Sequence, residues 1–186
     1  GYDIPQNGIG DTTRFWRDPL RGKYIGDVKF VLPGKLRSRG IMESDDLIHW
    51  RDLPYCIYPD PERCCFSGAT LVDKDRVIAM YHGTEVGNMV ATSFDPLLLS
   101  STKVAGQAVV PMTAPVGKPW PPRIFDPCIW KDGDFYYVLC GGWADGINPL
   151  AEPHAHNKVG YQDAPPCRMV DHLYRSPDLE NWVYMG

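Results

Sequence analysis

Three sets of side chains in this sequence could do chemistry. The first is a pair of carboxylates: Asp11, after Gly8-Ile9-Gly10 and ahead of Phe15-Trp16, and Asp126, in Phe125-Asp126-Pro127 at the head of an apolar run. Carboxylates can act as nucleophiles, or as fixed charges opposite a developing cation. Read locally, each is first a turn or cap residue, because aspartate tolerates turn angles and hydrogen-bonds its own backbone. The second set is six cysteines, Cys56, Cys64, Cys65, Cys128, Cys140 and Cys167. They could form three disulfides in an oxidising compartment, but their spacing selects no pairing. Cys128 and Cys140 lie in apolar strand-like runs and read as small buried hydrophobes. The adjacent Cys64-Cys65 lacks the spacing of a zinc knuckle. The third set is Glu152, His154 and His156, inside the Gly-, Pro- and His-rich stretch 141–167. In a coil without a fixed face these read as a solvated loop rim, and no metal site is assigned to them.

Whatever these residues do, short strands must position them. Gly and Pro number 18 each, are scattered, and punctuate runs of β-branched and aromatic residues, while long amphipathic helical patterns are nearly absent. The strand-like runs are Thr13–Trp16, Tyr24–Leu32, Arg39–Glu43, Ala69–Val72, Arg76–Tyr81, Met89–Thr92, Cys128–Trp130, Phe135–Cys140 and Met169–Tyr174. Tight turns are expected at Asp18–Gly22, at Asp73-Lys74-Asp75 and at Lys131–Asp134. A second motif, Ser-x-Asp-Leu or a close variant, recurs at Ser44–Leu47, Ser93–Leu97 and Ser176–Leu179. Its aspartates, Asp45, Asp46, Asp95 and Asp178, read as turn closers. A hairpin unit written three times cannot bury both faces alone, so its copies must stack, and an all-β propeller is the leading architecture.

Composition excludes other classes. The 186 residues are 44% hydrophobic and 12% aromatic, enough for a substantial core. A net charge of −4 supplies no basic surplus for phosphate, so no nucleic-acid partner is expected. No apolar run reaches the roughly 18 to 20 residues of a membrane-spanning helix, and no membrane partner is expected. The compartment stays open: a signal peptide ahead of Gly1 would make the protein extracellular or periplasmic, and its absence cytoplasmic.

The ordered segments SDDLIHWRDLPYCIYPDPERCCFSGATLVD, GNMVATSFDPLLL, PPRIFDPCIWKDGDFYYVLCGG and LYRSPDLENWVYMG resemble glycoside hydrolase family 32, the invertase, levanase and inulinase group. The resemblance implies a five-bladed β-propeller, with roughly blades 1–3 in this chain, acting on fructofuranoside-type bonds of an oligo- or polysaccharide. It implies no metal or organic cofactor, and a partner in the remaining blades. By its motifs Asp11 matches the nucleophile and Asp126 the transition-state stabiliser, with the acid/base glutamate expected after Gly186. Phe66-Ser67-Gly68 matches the family's sugar-pocket segment, so Phe66 and Ser67 are substrate-binding candidates.

The match departs from the family at telling places. Asp11 lacks the surrounding Trp, Asn and Pro-Asn-Gly. Phe125 stands where the family has a sugar-binding arginine, and Arg123, two residues earlier, could point to the same side of a strand and is the replacement candidate. These departures keep two rivals: a family 43-like arabinan- or xylan-active propeller, and a non-catalytic carbohydrate-binding propeller. Among the tryptophans, Trp50 and Trp182 recur at one place in the repeat and read as interblade core, whereas Trp120 and Trp143 lie in loop-like sequence where a ring could stack on a sugar.

Overall fold

The computed structural model describes residues 13–30, 38–112, 124–143 and 169–186, and among them every regular element is a strand. The first sheet is an antiparallel meander of β1 (Arg14–Asp18), β2 (Lys23–Phe30), β3 (Ser38–Ser44) and β4 (Trp50–Asp52). The second runs β5 (Cys65–Asp73), β6 (Arg76–Gly83), β7 (Gly87–Ser93) and β8 (Thr102–Lys103), with β9 (Val110–Pro111) also paired to β7. The third returns to four strands, β10 (Phe125–Asp132), β11 (Phe135–Trp143), β12 (Met169–Ser176) and β13 (Val183–Tyr184). Each meander is one blade, so the threefold unit of the sequence is a threefold blade.

Local chemistry sets where each blade turns. The link between its first and second strands places a left-handed residue at Gly22 (φ 68°), Lys74 (φ 60°) and Gly133 (φ 57°), at the three turns that the Asp, Gly and Pro content marks. The link after the third strand is built by the recurring serine and aspartate. Ser176 Oγ accepts from the amides of Asp178 and Leu179, and Asp178 Oδ1 accepts from those of Glu180 and Asn181. Ser44 and Asp46 make the same four bonds to Asp46, Leu47, Ile48 and His49. In both blades the tryptophan indole then donates to the leucine carbonyl, Trp50 to Leu47 and Trp182 to Leu179. Burial alone would push the Asp178 carboxyl up, but the bonds from Asn181, Glu180 and Ser176 outweigh it and hold the group at about 2. These aspartates therefore close turns. Asp45 instead pairs with Lys23 at 2.8 Å.

The second and third blades pack face to face, with β10 lying against β5, β6 and β7. Ile78, Met80, Val90, Val110, Ile129, Val138, Cys140, Tyr174, Leu179 and Trp182 form the shared core. Trp182 is buried there as its place in the repeat suggests, whereas Trp50 is only half-buried, edge-on to Phe15 at 5.5 Å. Cys140 is buried, but Cys128 is exposed, correcting the expectation that both are core. The reason is a bulge at the head of β10, after which Ile129 faces inward and Cys128 and Trp130 face out. The five described cysteines are free thiols.

Two polar clusters fasten the blades. Across the interface, Asp73 at the end of β5 accepts from the Tyr136 hydroxyl and from Lys131 Nζ at 2.9 Å, while Arg76 Nη2 donates to the Tyr136 oxygen at 2.8 Å. The Tyr136 hydroxyl and the Lys131 ammonium hold the Asp73 carboxyl at about 2. A carboxyl lowered on folding contributes stability above its ordinary pKa near 4 and loses it as pH falls towards the folded value. Asp73→Asn is therefore expected to melt below wild type at pH 7, with the difference closing between about pH 4 and pH 2. Melting curves across that range check this. Within the second blade, Glu62 is wholly buried and accepts from Lys103 Nζ at 2.7 and 2.8 Å and from Tyr81 Oη at 2.7 Å. Lys103 also donates to the Asp60 carbonyl, so this cluster straps the segment entering β5 onto β8.

Candidate active site

The first strands of the second and third blades carry the same irregularity at the same place. In β5, Cys65 pairs with Gly83 and Gly68 with Tyr81, so Phe66 and Ser67 together oppose the single residue His82. In β10, Phe125 pairs with Gly141 and Cys128 with Leu139, so Asp126 and Pro127 oppose Cys140. A bulge of two residues against one bends the strand and re-aims its side chains, which is why bulges gather at functional sites. Two of the sequence-predicted site segments, Phe66-Ser67 and Asp126, are the two bulges, and β5 and β10 pack on each other.

Asp126 is exposed and sits at φ 47°, a left-handed angle that aspartate adopts more readily than most residues but takes here ahead of a proline. Such a conformation costs on the order of 1–3 kcal/mol and persists where the surrounding fold imposes it, commonly at functional sites. Phe66 is half-buried and Ser67 exposed, so this bulge presents a ring and a hydroxyl. Gly68 lets this bulge lie close on β6: a Cβ there would lie 2.1 Å from the Met80 carbonyl oxygen and 2.5 Å from Tyr81 Cα. Neither contact is a flexible side chain. Gly68→Ala is expected to cost about 1–3 kcal/mol, as overpacking does, and to displace Phe66 and Ser67; thermal unfolding and amide shifts of the bulge would measure both.

Opposite the bulges lies a polar chain that runs to Cys140 through His82 and Asn88, two residues that no motif marks in the sequence. The His82 ring meets Phe66 edge-on, with centroids 6.3 Å apart. Its Nδ1 is 3.3 Å from Asn88 Oδ1, and Asn88 Nδ2 donates to Cys140 Sγ at 3.1 Å. Burial holds the His82 ring below the usual histidine range, against the opposing pull of Asn88 and the Asp126 charge, so the ring is neutral near pH 7. Burial also pushes the Cys140 thiol up to about 12, which makes it an inert thiol. The only cue in the sequence is a polar residue at position 88 inside the otherwise apolar run 87–91.

Asp11 and Arg123 lie outside the described residues, as do Trp120, Glu152, His154 and His156. Among the described residues no group of three or more His, Cys, Asp or Glu could hold a metal ion. A cleft of about 380 Å³ lies on the first blade, lined by Lys23, Glu43, Trp50 and Arg51. Its charges pair among themselves, Lys23 with Asp45 and Arg51 with Glu43, and none of its lining residues is a bulge residue.

Comparison with known proteins gives a family model and a fold. The family model for the glycosyl hydrolases family 32 N-terminal domain matches residues 36–148. A curated relative, sucrose-6-phosphate hydrolase of Zymomonas mobilis, is 25% identical over 159 residues, covering 78% of this chain and 27% of its own. The chain thus spans about a quarter of the length of the curated relatives it matches. Among solved structures, sucrose-6-phosphate hydrolase from Lactobacillus gasseri aligns with a TM-score of 0.51 at 21% identity, over 88% of this chain and 31% of that one. The β-fructofuranosidase of Schwanniomyces occidentalis, complexed with fructosyl-erythritol, aligns with a TM-score of 0.54 at 16% identity, over 95% and 33%. At these identities the likeness establishes the fold: the three meanders are blades of a five-bladed propeller. With the family model matching most of the chain and the blades in their expected order, the chain belongs to glycosyl hydrolase family 32.

Proposed function

We propose that the complete protein is a retaining glycosidase acting on fructofuranosides of the sucrose or fructan type. The observation that carries this reading is the exposed, left-handed Asp126 on one bulge, with Phe66 and Ser67 on the matching bulge of the strand packed against it, in a family 32 chain. The names of the relatives, sucrose-6-phosphate hydrolase and β-fructofuranosidase, support the substrate class.

In the proposed reaction the Asp11 carboxylate attacks the anomeric carbon of the fructosyl unit. The bond to the leaving-group oxygen breaks with both electrons going to that oxygen, which takes a proton from the acid/base glutamate that the family resemblance assigns to the next blade. Water then attacks the covalent intermediate, gives its proton back to that glutamate and frees Asp11. In the transition state of each step the sugar ring carries positive charge, and Asp126 supplies the fixed negative charge opposite it. Phe66 offers an apolar wall, Ser67 a hydroxyl for a sugar oxygen, and Arg123 a cation in place of the one missing at Phe125.

Assays of Asp11→Asn and Asp126→Asn in the complete protein, with aryl fructoside, arabinoside and xyloside substrates, test this reading. Turnover of the fructoside alone, lost in both variants, is the expected pattern. Undiminished hydrolysis in both variants would refute the assignment, and turnover of the arabinoside or xyloside instead would move the protein to the rival substrate class.

A further inference from the structure

The residues opposite the two bulges, His82 and Cys140, belong to different blades, yet both are bonded by one side chain. Asn88 is fully buried, and a primary amide in an apolar core costs free energy unless its polar atoms are satisfied. An apolar residue of the same size would fill this space without that cost. Here the amide is satisfied at both ends, by His82 on β6 and by Cys140 on β11 across the blade interface.

We propose that Asn88 is a positioning residue that clamps the two bulges in register, holding the carboxylate of Asp126 at a fixed offset from the Phe66-Ser67 wall. On one side, Oδ1 accepts from His82 Nδ1–H, fixing the neutral tautomer and the tilt of a ring that lies against Phe66. On the other, Nδ2 holds the strand segment facing Asp126 and Pro127. Apolar contacts are non-directional, and the Asp73 cluster fixes the interface at the far end of β5 from its bulge, whereas two hydrogen bonds from one planar amide fix direction as well as distance opposite the bulges themselves. A displacement near 1 Å at a reacting centre can cost about 100-fold in rate. Asn88 touches no substrate in this account.

The functional half of the proposal rests on the fructosidase reading, so its test has one arm that does not need turnover. In Asn88→Leu of the complete protein, backbone amide resonances of both bulges, at Ser67 and Asp126, are expected to shift together. His82 is expected to lose its Nδ1–H tautomer, seen in wild type by long-range proton–nitrogen correlation. Cys140→Ser, which keeps an acceptor for Nδ2, should leave wild-type shifts at Ser67, whereas Cys140→Ala should move Asp126 and spare the His82 tautomer. With sucrose, Asn88→Leu should lose at least tenfold in kcat at a temperature where it is fully folded, with KM changed less than threefold. Unmoved bulge resonances in Asn88→Leu, an Nε2–H tautomer in wild type, or wild-type kcat in the folded variant would each overturn the clamp. Inactivity of the wild type on sucrose would refute the fructosidase reading alone, leaving the resonances to decide on the clamp. If Asn88→Leu does not fold, Cys140→Ala decides: an Asp126 resonance left at its wild-type position there would overturn the clamp.

Discussion

Asp126→Asn in the complete protein is expected to lower kcat on sucrose by roughly 10²–10³-fold, the range seen when one preorganised electrostatic partner of a transition state is removed. KM should change far less, because the positive charge that Asp126 opposes develops only as the glycosidic bond breaks. The substitution keeps size and branching, so the bulge and its left-handed angle are retained; asparagine tolerates that angle as well as aspartate does. The matched control is Asp178→Asn. That carboxylate is bound by two turn amides and Asn181 at a blade end, so its loss should lower stability and leave kcat untouched. Equal loss of activity in the two variants would mean that Asp126 is one more turn aspartate, which is how its local sequence first reads.

The second large effect concerns stability. Burial opposes the charge on Glu62, yet the Lys103 ammonium and the Tyr81 hydroxyl outweigh it and keep the carboxyl below the usual glutamate range. Lys103→Met removes the only described cation on this buried carboxylate, and breaking a buried pair by removing one partner costs about 3–5 kcal/mol. The pH dependence follows from the sign. Without Lys103, burial raises the Glu62 carboxyl above its unfolded value near 4.3, so the deficit develops as pH rises through that value and shrinks below it. Denaturant unfolding at pH 4 and pH 7 reads this directly. The double variant Glu62→Gln with Lys103→Met should recover most of the loss, because a neutral amide that accepts from Tyr81 needs no cation.

What the sequence disclosed about this fold followed from how local each rule is. The turns at Gly22, Lys74 and Gly133, and the Ser-x-Asp-Leu closures, are made by neighbouring residues, so their chemistry is written in adjacent letters. Trp182 was legible because it repeats Trp50, but only one of the pair is deeply buried, since burial depends on which blade covers the position. The bulges were not legible: the predicted strand at Ala69–Val72 begins four residues late, because Phe66, Ser67 and Gly68 break the alternation that marks a strand. The same break on β10 turned Cys128 outward. Phe66, Ser67 and Asp126 were nominated through the family resemblance. The physical reason for their prominence, paired bulges with a strained aspartate, needed the register of two strands about 60 residues apart. Asn88 and His82 escaped notice because a single polar residue in an apolar run carries no motif.

The most direct test is a crystal structure of the Asp126→Asn form of the complete protein with sucrose bound. The fructosyl ring is expected between the bulges of β5 and β10, in contact with Phe66 and with the residue 126 side chain, and the Asp11 carboxylate facing its anomeric carbon. A sugar seated away from both bulges, or one held without contact to residue 126, would contradict this placement.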